Sequence, residues 1–215
     1  QAIQYEPAQD TLGQIMYEDL WPGWTDLDFN DVVVAWNSAN QVNTAGSVSK
    51  IRLTLYVLAL GGNLDNGLGL QIPVPAAAVS SVTRSIAGGP SQSLMLRPTD
   101  TNATFFISSN TRELFAYQGG PINSIQGQNT PPVQVVVDIS LNQAVSVNTS
   151  TLRDMFVFRA GDPSHQIHFP SYGGTSEMNQ SLFGQTNDGS SPGRWFVDTT
   201  GLPYALSIPQ LAPRS

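Results

Sequence analysis

Apolar and polar residues alternate with a period of two in several parts of this chain, and this alternation constrains the fold more than any other feature. Every second side chain is aliphatic from Lys50 to Val57, and the segment from Val133 to Ile139 repeats the pattern. A period of two buries one face of a β-strand. Clusters rich in Gly, Pro and Asn separate such segments, and no window keeps a helical period. The sequence therefore predicts an all-β fold, an antiparallel β-sandwich that is jelly-roll-like.

Segments with strand character extend over most of the chain, which favours one large domain. A length of 215 residues is usual for a single all-β unit. We predict one β-sandwich domain over residues 14–215, preceded by an extended N-terminal arm over residues 1–13. The segments with strand character are 14–20, 31–37, 48–60, 68–73, 78–85, 103–108, 132–140, 154–160, 165–169, 194–198 and 203–208.

The charges are few and unevenly placed, which excludes several classes of partner. The net charge is −7, and no basic residue precedes Lys50. Nucleic-acid binding is not expected, because neutralising phosphates requires a basic face that this chain lacks. The chain has no apolar segment long enough to span a bilayer, so no membrane insertion is predicted. The absence of Cys excludes disulfides, thiolate catalysis and cysteine zinc sites.

The segment from Glu18 to Asp31 carries five acidic residues and no base. Oxygen-bearing side chains alternate at Asp26, Asp28 and Asn30, a spacing that can wrap a loop around a hard cation. Calcium binds six to eight oxygens, and short Asp and Asn side chains supply them well. The loop is not an EF-hand, because its sixth position is Asp31 instead of Gly. The predicted Ca²⁺ ligands are Asp26, Asp28, Asn30 and Asp31, completed by Glu18 or Asp19.

The alternative reading of this segment is an exposed turn whose acids are simply solvated. Carboxylates this close together repel one another unless a cation neutralises them. Trp21, Trp24 and Phe29 are interleaved with the acids, which predicts that the loop is anchored to the core. Magnesium is a weaker candidate, because it keeps more of its water ligands than calcium does.

Several short motifs, in order along the chain, resemble the LruC-domain family of bacterial envelope and secreted proteins. Two residues depart from the family pattern: Thr25 stands where the family has Gly, and Gln166 stands where it has Glu. The resemblance implies an extracellular, all-β, calcium-dependent module without an assigned activity. The motifs that carry it are Tyr17 to Pro22 (YEDLWP), Asp26 to Val34 (DLDFNDVVV), Asp65 to Pro73 (DNGLGLQIP), Gln166 to Tyr172 (QIHFPSY) and Leu202 to Pro209 (LPYALSIP).

No pattern of catalytic residues is apparent, and we predict that the protein is not an enzyme. His165 and His168 are three positions apart in a predicted strand, so their side chains should point to opposite faces. A structural or hydrogen-bonding role is the simpler interpretation for His168. Asp26 and Asp28 could form a glycosidase pair, but their position in a cation-binding loop disfavours this reading.

Two functions remain open. The first is an extracellular or cell-surface structural or adhesive protein, a fibre or matrix subunit that self-associates by β-strand pairing. In that reading the arm donates a strand, and Val133 to Val137 or Phe105 to Ser109 accepts it. The alternative is a calcium-stabilised carbohydrate-binding module without catalytic activity. It would bind cell-surface polysaccharide through Trp24 and Trp195.

Overall fold

A computed structural model describes residues 1–117, 119–146 and 154–209, and nearly all regular structure in it is β-strand. Two antiparallel sheets pack against each other, which confirms the predicted β-sandwich. Short 3₁₀-helices in the described residues are Ala76–Ala78, Thr111–Leu114 and Gln180–Leu182. The strands are β1 (Ala2–Glu6), β2 (Gly13–Tyr17), β3 (Val32–Val42), β4 (Val48–Ala59), β5 (Asn66–Pro75), β6 (Val79–Ile86), β7 (Gln92–Ser93), β8 (Asn102–Ser108), β9 (Val133–Val145), β10 (Asp154–Arg159), β11 (Asp162–Ile167) and β12 (Ala205–Ile208).

The larger sheet has the strand order β12-β2-β3-β4-β9-β6-β7, and β1 also pairs with β3. The strands β1 and β2 lie one after the other along the same side of β3. Ala2 pairs with Val42 at one end of this arrangement, and Tyr17 pairs with Val32 at the other. The smaller sheet has the order β11-β10-β5-β8.

The core lies between the two sheets and is built from the alternating aliphatic positions. Fully burying one such side chain contributes about 1.5–3 kcal/mol, so the alternation supplies most of the driving force for folding. The larger sheet contributes, among others, Val34, Leu53, Leu55, Val57, Val135, Val137 and Ile139, and the smaller sheet contributes Leu68, Leu70, Ile72, Phe105, Ile107 and Val157.

The segment after β11 folds over the outer face of the smaller sheet. There the ring of His168 stacks on Phe156 with centroids 4.4 Å apart, and Phe196 lies 5.2 Å from His168. A side chain at Gly69, opposite Phe156, would overlap that ring. The prediction of a strand at 194–198 is wrong: the backbone of Phe196 is left-handed (φ 49°), and this segment forms only isolated bridges.

The predicted N-terminal arm contains β1, which pairs with β3 of the same chain over five residues. The division into an arm and a domain stays a prediction. The prediction that Val133 to Val137 is an open acceptor strand is wrong, because this segment lies in β9, between β4 and β6. The other predicted acceptor, Phe105 to Ser109, begins in β8 at an edge of the smaller sheet. Only its start is covered there: Leu96 bridges to Phe105, and the main-chain N–H of Arg97 donates to the carbonyl of Thr104 at 2.7 Å. An acceptor role for the remainder stays a prediction.

Candidate cation site

The acidic loop connects β2 to β3 at one end of the sandwich. The main-chain N–H of Glu18 donates to the carbonyl of Tyr204 at 2.9 Å, which extends the pairing of β2 with β12 into the loop. Leu27 and Phe29 both have left-handed backbones, with φ values of 58° and 55°. Such values are uncommon for residues other than Gly. The loop is therefore tightly folded between its acidic residues.

Three carboxylates of the loop converge on one point. Ligand oxygens of Glu18, Asp26 and Asp28 lie within 4.8 Å of one another. A calcium ion holds its oxygens at about 2.3–2.6 Å, so two of its ligands can be about 5 Å apart. One ion can therefore contact all three side chains. Glu18 is fully buried, whereas the two Asp side chains are exposed.

Hydrogen bonds fix the carboxylate of Glu18. The main-chain N–H of Phe29 and the hydroxyl of Thr25 each donate to one of its oxygens. The side-chain amide of Asn30 donates to Asp28 and lies against Gly61, whose N–H donates to the carbonyl of Asn30 at 2.9 Å. The structure thus places Asn30 beside the three converging carboxylates.

Asp19 and Asp31 are outside this converging group and form a second acidic pair, which lines the same cavity as Asp26 and Asp28. The N–H of Asp19 donates to Oδ2 of Asp31 at 2.8 Å, and Asn66 Nδ2 donates to Oδ2 of Asp19 at 2.7 Å. A Cβ added at Gly62 would lie 2.5 Å from Asp19 Oδ2 and 2.9 Å from Asp31 Oδ1. The glycine therefore lets the chain after β4 pass directly over the two carboxyls.

The acidic side chains surround a cavity of about 680 Å³. None of the described residues that line it is Lys, Arg or His. The acidic and amide side chains in its wall are Asp19, Asp26, Asp28, Asn30, Asp31 and Asn63.

Burial is the largest influence on the carboxyl groups of the loop. Burial raises the pKa of Glu18 to about 7, and the negative charges of Asp31, Asp26 and Asp28 raise it as well. Burial also raises the pKa of Asp31 to about 7, with further contributions from the charges of Asp19 and Asp28. Burial raises the pKa of Asp19 too, whereas its hydrogen bond from Asn66 and the charge of Arg159 lower it. A cation in the cavity would favour the ionised form of all three groups.

The two tryptophans predicted to bind sugars occupy different surroundings. Trp24 lines the acidic cavity, and 68% of its surface is exposed. Trp195 is half-buried, with its ring centroid 5.0 Å from that of Phe183, and it is not among the described residues that line the cavity. The structure therefore does not bring Trp24 and Trp195 together at this cavity.

The two histidines lie in separate environments. His165 Nε2 contacts the carbonyl of Trp21. His168 is fully buried, with Nδ1 2.7 Å from Asp154 Oδ2 and Nε2 2.9 Å from Gln166 Oε1. Both ring nitrogens of His168 are thus engaged in buried contacts, which supports a structural role. Sequence reasoning missed Asp154 as its partner, because nothing local to Asp154 indicates which residue it faces.

Comparisons with known proteins identify a family and a fold. The sequence model of the family DUF4842, a domain of unknown function, matches residues 46–213. The matched region begins after the acidic loop. The fold is similar to that in the crystal structure of a putative lipoprotein from Bacteroides ovatus, with a TM-score of 0.67 and 17% sequence identity. The similarity covers 96% of this chain but only 65% of that protein. Comparison with curated protein sequences gave no match. Because the family match extends over more than half of the chain, the protein belongs to the DUF4842 family.

Proposed function

We propose that this protein is a calcium-binding module of the bacterial cell envelope with a structural or adhesive role. The observation that carries the proposal is the convergence of Glu18, Asp26 and Asp28 oxygens to within 4.8 Å of one another. Calcium fits this donor set because it accepts carboxylate and carbonyl oxygens in flexible geometry. The proposed ligands are those three residues, with Asn30, Asp31 and Asp19 adjoining them.

The burial of Glu18 favours a cation site over a solvated turn. In a solvated turn the carboxylates would face water, where their mutual repulsion is weak. Glu18 is instead fully buried, and Asp19 is only 3% exposed. A buried carboxylate is costly unless it is paired or coordinates a metal. The charge of Arg159 acts on Asp19, but the charges that act on Glu18 are those of Asp31, Asp26 and Asp28. For Glu18, a metal ion is the simplest way to offset that cost.

A location in the envelope is supported by the fold comparison. The overall fold is similar to that of a Bacteroides ovatus protein described as a putative lipoprotein. The described part of the chain contains no helix long and apolar enough to cross a bilayer. The resemblance to LruC-domain proteins agrees with this location and stays a prediction, since the matched family is DUF4842.

For assembly, β1 is the proposed donor strand. It holds its place through five residue pairs with β3 and has no second strand neighbour among the described residues. The same pairing could form between copies if β1 of one chain occupied its position on β3 of another. Such an exchange needs no new contacts, which makes it a low-cost route to association.

Thermal unfolding with calcium and with EDTA tests the cation proposal. Calcium at about a hundredfold excess over Kd should stabilise the fold by about 2.7 kcal/mol. In a chain of this length that corresponds to a rise in Tm of about 5–10 °C. An identical Tm in calcium and in EDTA would contradict the proposal.

A further inference from the structure

The outer face of the larger sheet carries rows of aligned side chains that the cation site does not use. One row crosses the sheet through Tyr5, Ala39, Arg52 and Asp138, which are successive partners in the strand register. These positions alternate with the buried core positions, so their side chains lie on the solvent side of the sheet. Parallel rows on either side of this one pair Gln41 with Lys50, Asn37 with Thr54, and Tyr56 with Gln134.

A trough runs along β3 on this outer face. Two adjoining clefts, of about 670 and 380 Å³, share Tyr5, Asn37 and Thr54 and therefore form one continuous depression. Ala39 lies between Tyr5 and Arg52 in the row, and its small side chain leaves space between the two larger ones. Lining residues from β1 lie on one side of β3, and lining residues from β4 and β9 lie on the other.

Hydrogen bonds hold the polar groups of the trough in place. Arg52 Nε and a second guanidinium nitrogen donate to the two carboxylate oxygens of Asp138 at 2.7 and 2.9 Å. Asn37 Nδ2 donates to the carbonyl of Thr11 at 2.7 Å. Gln134 Nε2 donates to the hydroxyl of Tyr56 at 2.9 Å. Groups fixed on rigid strands lose little freedom when a ligand binds.

The trough has balanced charge. Its lining contains two basic residues, Lys50 and Arg52, and two acidic residues, Asp10 and Asp138. A neutral, polar ligand therefore complements it better than a nucleic acid or a strongly charged chain does. A peptide strand would pair with free main-chain groups, but β3 and β4 have strand neighbours on both sides.

From this arrangement we propose that the trough binds a segment of neutral polysaccharide. The rings of Tyr5 and Tyr56 offer rigid, amphipathic surfaces on which sugar rings can stack. Arg52, Asp138, Asn37 and the neighbouring hydroxyls exchange hydrogen bonds with the sugar hydroxyls. This site is separate from the calcium site and goes beyond the proposed structural role.

Affinity electrophoresis of the full chain in calcium tests the proposal. The neutral probes are laminarin, xyloglucan, galactomannan and amylopectin, and the acidic probes are polygalacturonate and heparin. At least one neutral probe should retard the wild-type protein, and Tyr56→Ala should weaken that retardation at least tenfold. Thr54→Trp, which fills the trough without removing a core residue, should have the same effect. Tyr117→Ala, a change at an exposed tyrosine outside the trough, should bind like the wild type.

Several outcomes would overturn this inference. They are the absence of retardation by every neutral probe, stronger retardation by the acidic probes, and retardation that persists in Tyr56→Ala and Thr54→Trp. A cooperative thermal transition in each variant, with a Tm close to that of the wild type, shows that the variants are folded. The difference between the Tm in calcium and in EDTA tests the calcium proposal separately, so a failure of one proposal is distinguished from a failure of the other.

Discussion

The main-chain N–H of Asp19 donates a 2.8 Å hydrogen bond to Oδ2 of Asp31, which closes the acidic loop between β2 and β3. This contact places the buried carboxyl of Asp19 beside the half-buried carboxyl of Asp31 instead of letting the two separate into water. Asn66, at the start of β5, donates to Asp19 from the smaller sheet. The loop is thus held by both sheets, and the carboxylates for a cation are in position before any ion binds.

Substituting Gly62 should weaken calcium binding while preserving the fold. In Gly62→Ala the new Cβ would lie 2.5 Å from Asp19 Oδ2, so that carboxyl must move. We expect a calcium affinity at least tenfold weaker, measured by calorimetric titration. Gly120→Ala is the matched control, because its Cβ would meet Tyr117 at an ordinary 3.5 Å. Equal affinities in the two variants would contradict the predicted role of Gly62.

The stability of the calcium-free protein should depend on the ionisation of Glu18. Its pKa is raised by burial to about 7 in the fold, from an ordinary value of 4.5. The folded state therefore favours the protonated form of Glu18. The stability that follows from this preference is fully present below about pH 4.5 and is lost as the pH rises through about 7. In EDTA the wild type should lose more stability over this range than Glu18→Gln, whose side chain does not titrate.

Thermal unfolding of both proteins in EDTA, from about pH 5 to about pH 8, measures this difference. Comparing the two proteins cancels the contributions of titrating groups that do not interact with Glu18. With saturating calcium the difference should shrink or reverse, because calcium binds the ionised carboxylate. Parallel curves for the two proteins in EDTA would show that Glu18 does not titrate as described.

The buried contact between His168 and Asp154 should matter for stability and not for calcium. Removing one partner of a buried pair costs about 3–5 kcal/mol, because the other partner keeps its desolvation penalty. His168→Ala should therefore lower the Tm by about 10 °C. Adding Asp154→Ala should cost much less than this, as a double-mutant cycle would record. Fully additive losses would argue against a coupled pair, and a loss of calcium binding by folded His168→Ala would contradict the structural assignment.

Deleting residues 1–6 should abolish self-association and leave calcium binding intact. The deletion removes β1 and its pairing with β3 but keeps β2 and the acidic loop. Sedimentation at high protein concentration should show oligomers for the full chain and monomers for the shortened chain. If both are monomeric, or both form the same oligomers, the strand-exchange proposal fails.

The strands with one buried face could be predicted from the sequence, because apolar residues alternate with polar ones along them. This holds for β4 and β9. Strand β1 was not predictable in this way, since Ala2–Glu6 is largely exposed and has no apolar periodicity. The segment around Phe196 gave the opposite error. Its apolar residues suggest a strand, but they are buried because Phe196 packs on Trp21, with ring centroids 4.8 Å apart.

The acidic loop could be located from its spacing of oxygens, but the rest of its surroundings could not. Gly62 and Asn66 approach the loop from elsewhere in the chain, and only the packing of the sheets brings them there. Pairing of Asp154 with His168 likewise depends on how the segment after β11 folds over the smaller sheet. Local sequence carries no signal for such long-range contacts.

A calorimetric titration of the EDTA-stripped protein with calcium tests the central claim most directly. The wild type should bind calcium with a Kd of about 10⁻³ M or tighter, the upper end being typical of extracellular modules. Asp28→Asn and Glu18→Gln should each weaken binding at least tenfold. Asp10→Asn is the control: it removes an exposed acid that does not line the cavity and should bind like the wild type. No saturable binding by the wild type, or an equal loss in Asp10→Asn and Asp28→Asn, would contradict a calcium site in the acidic loop.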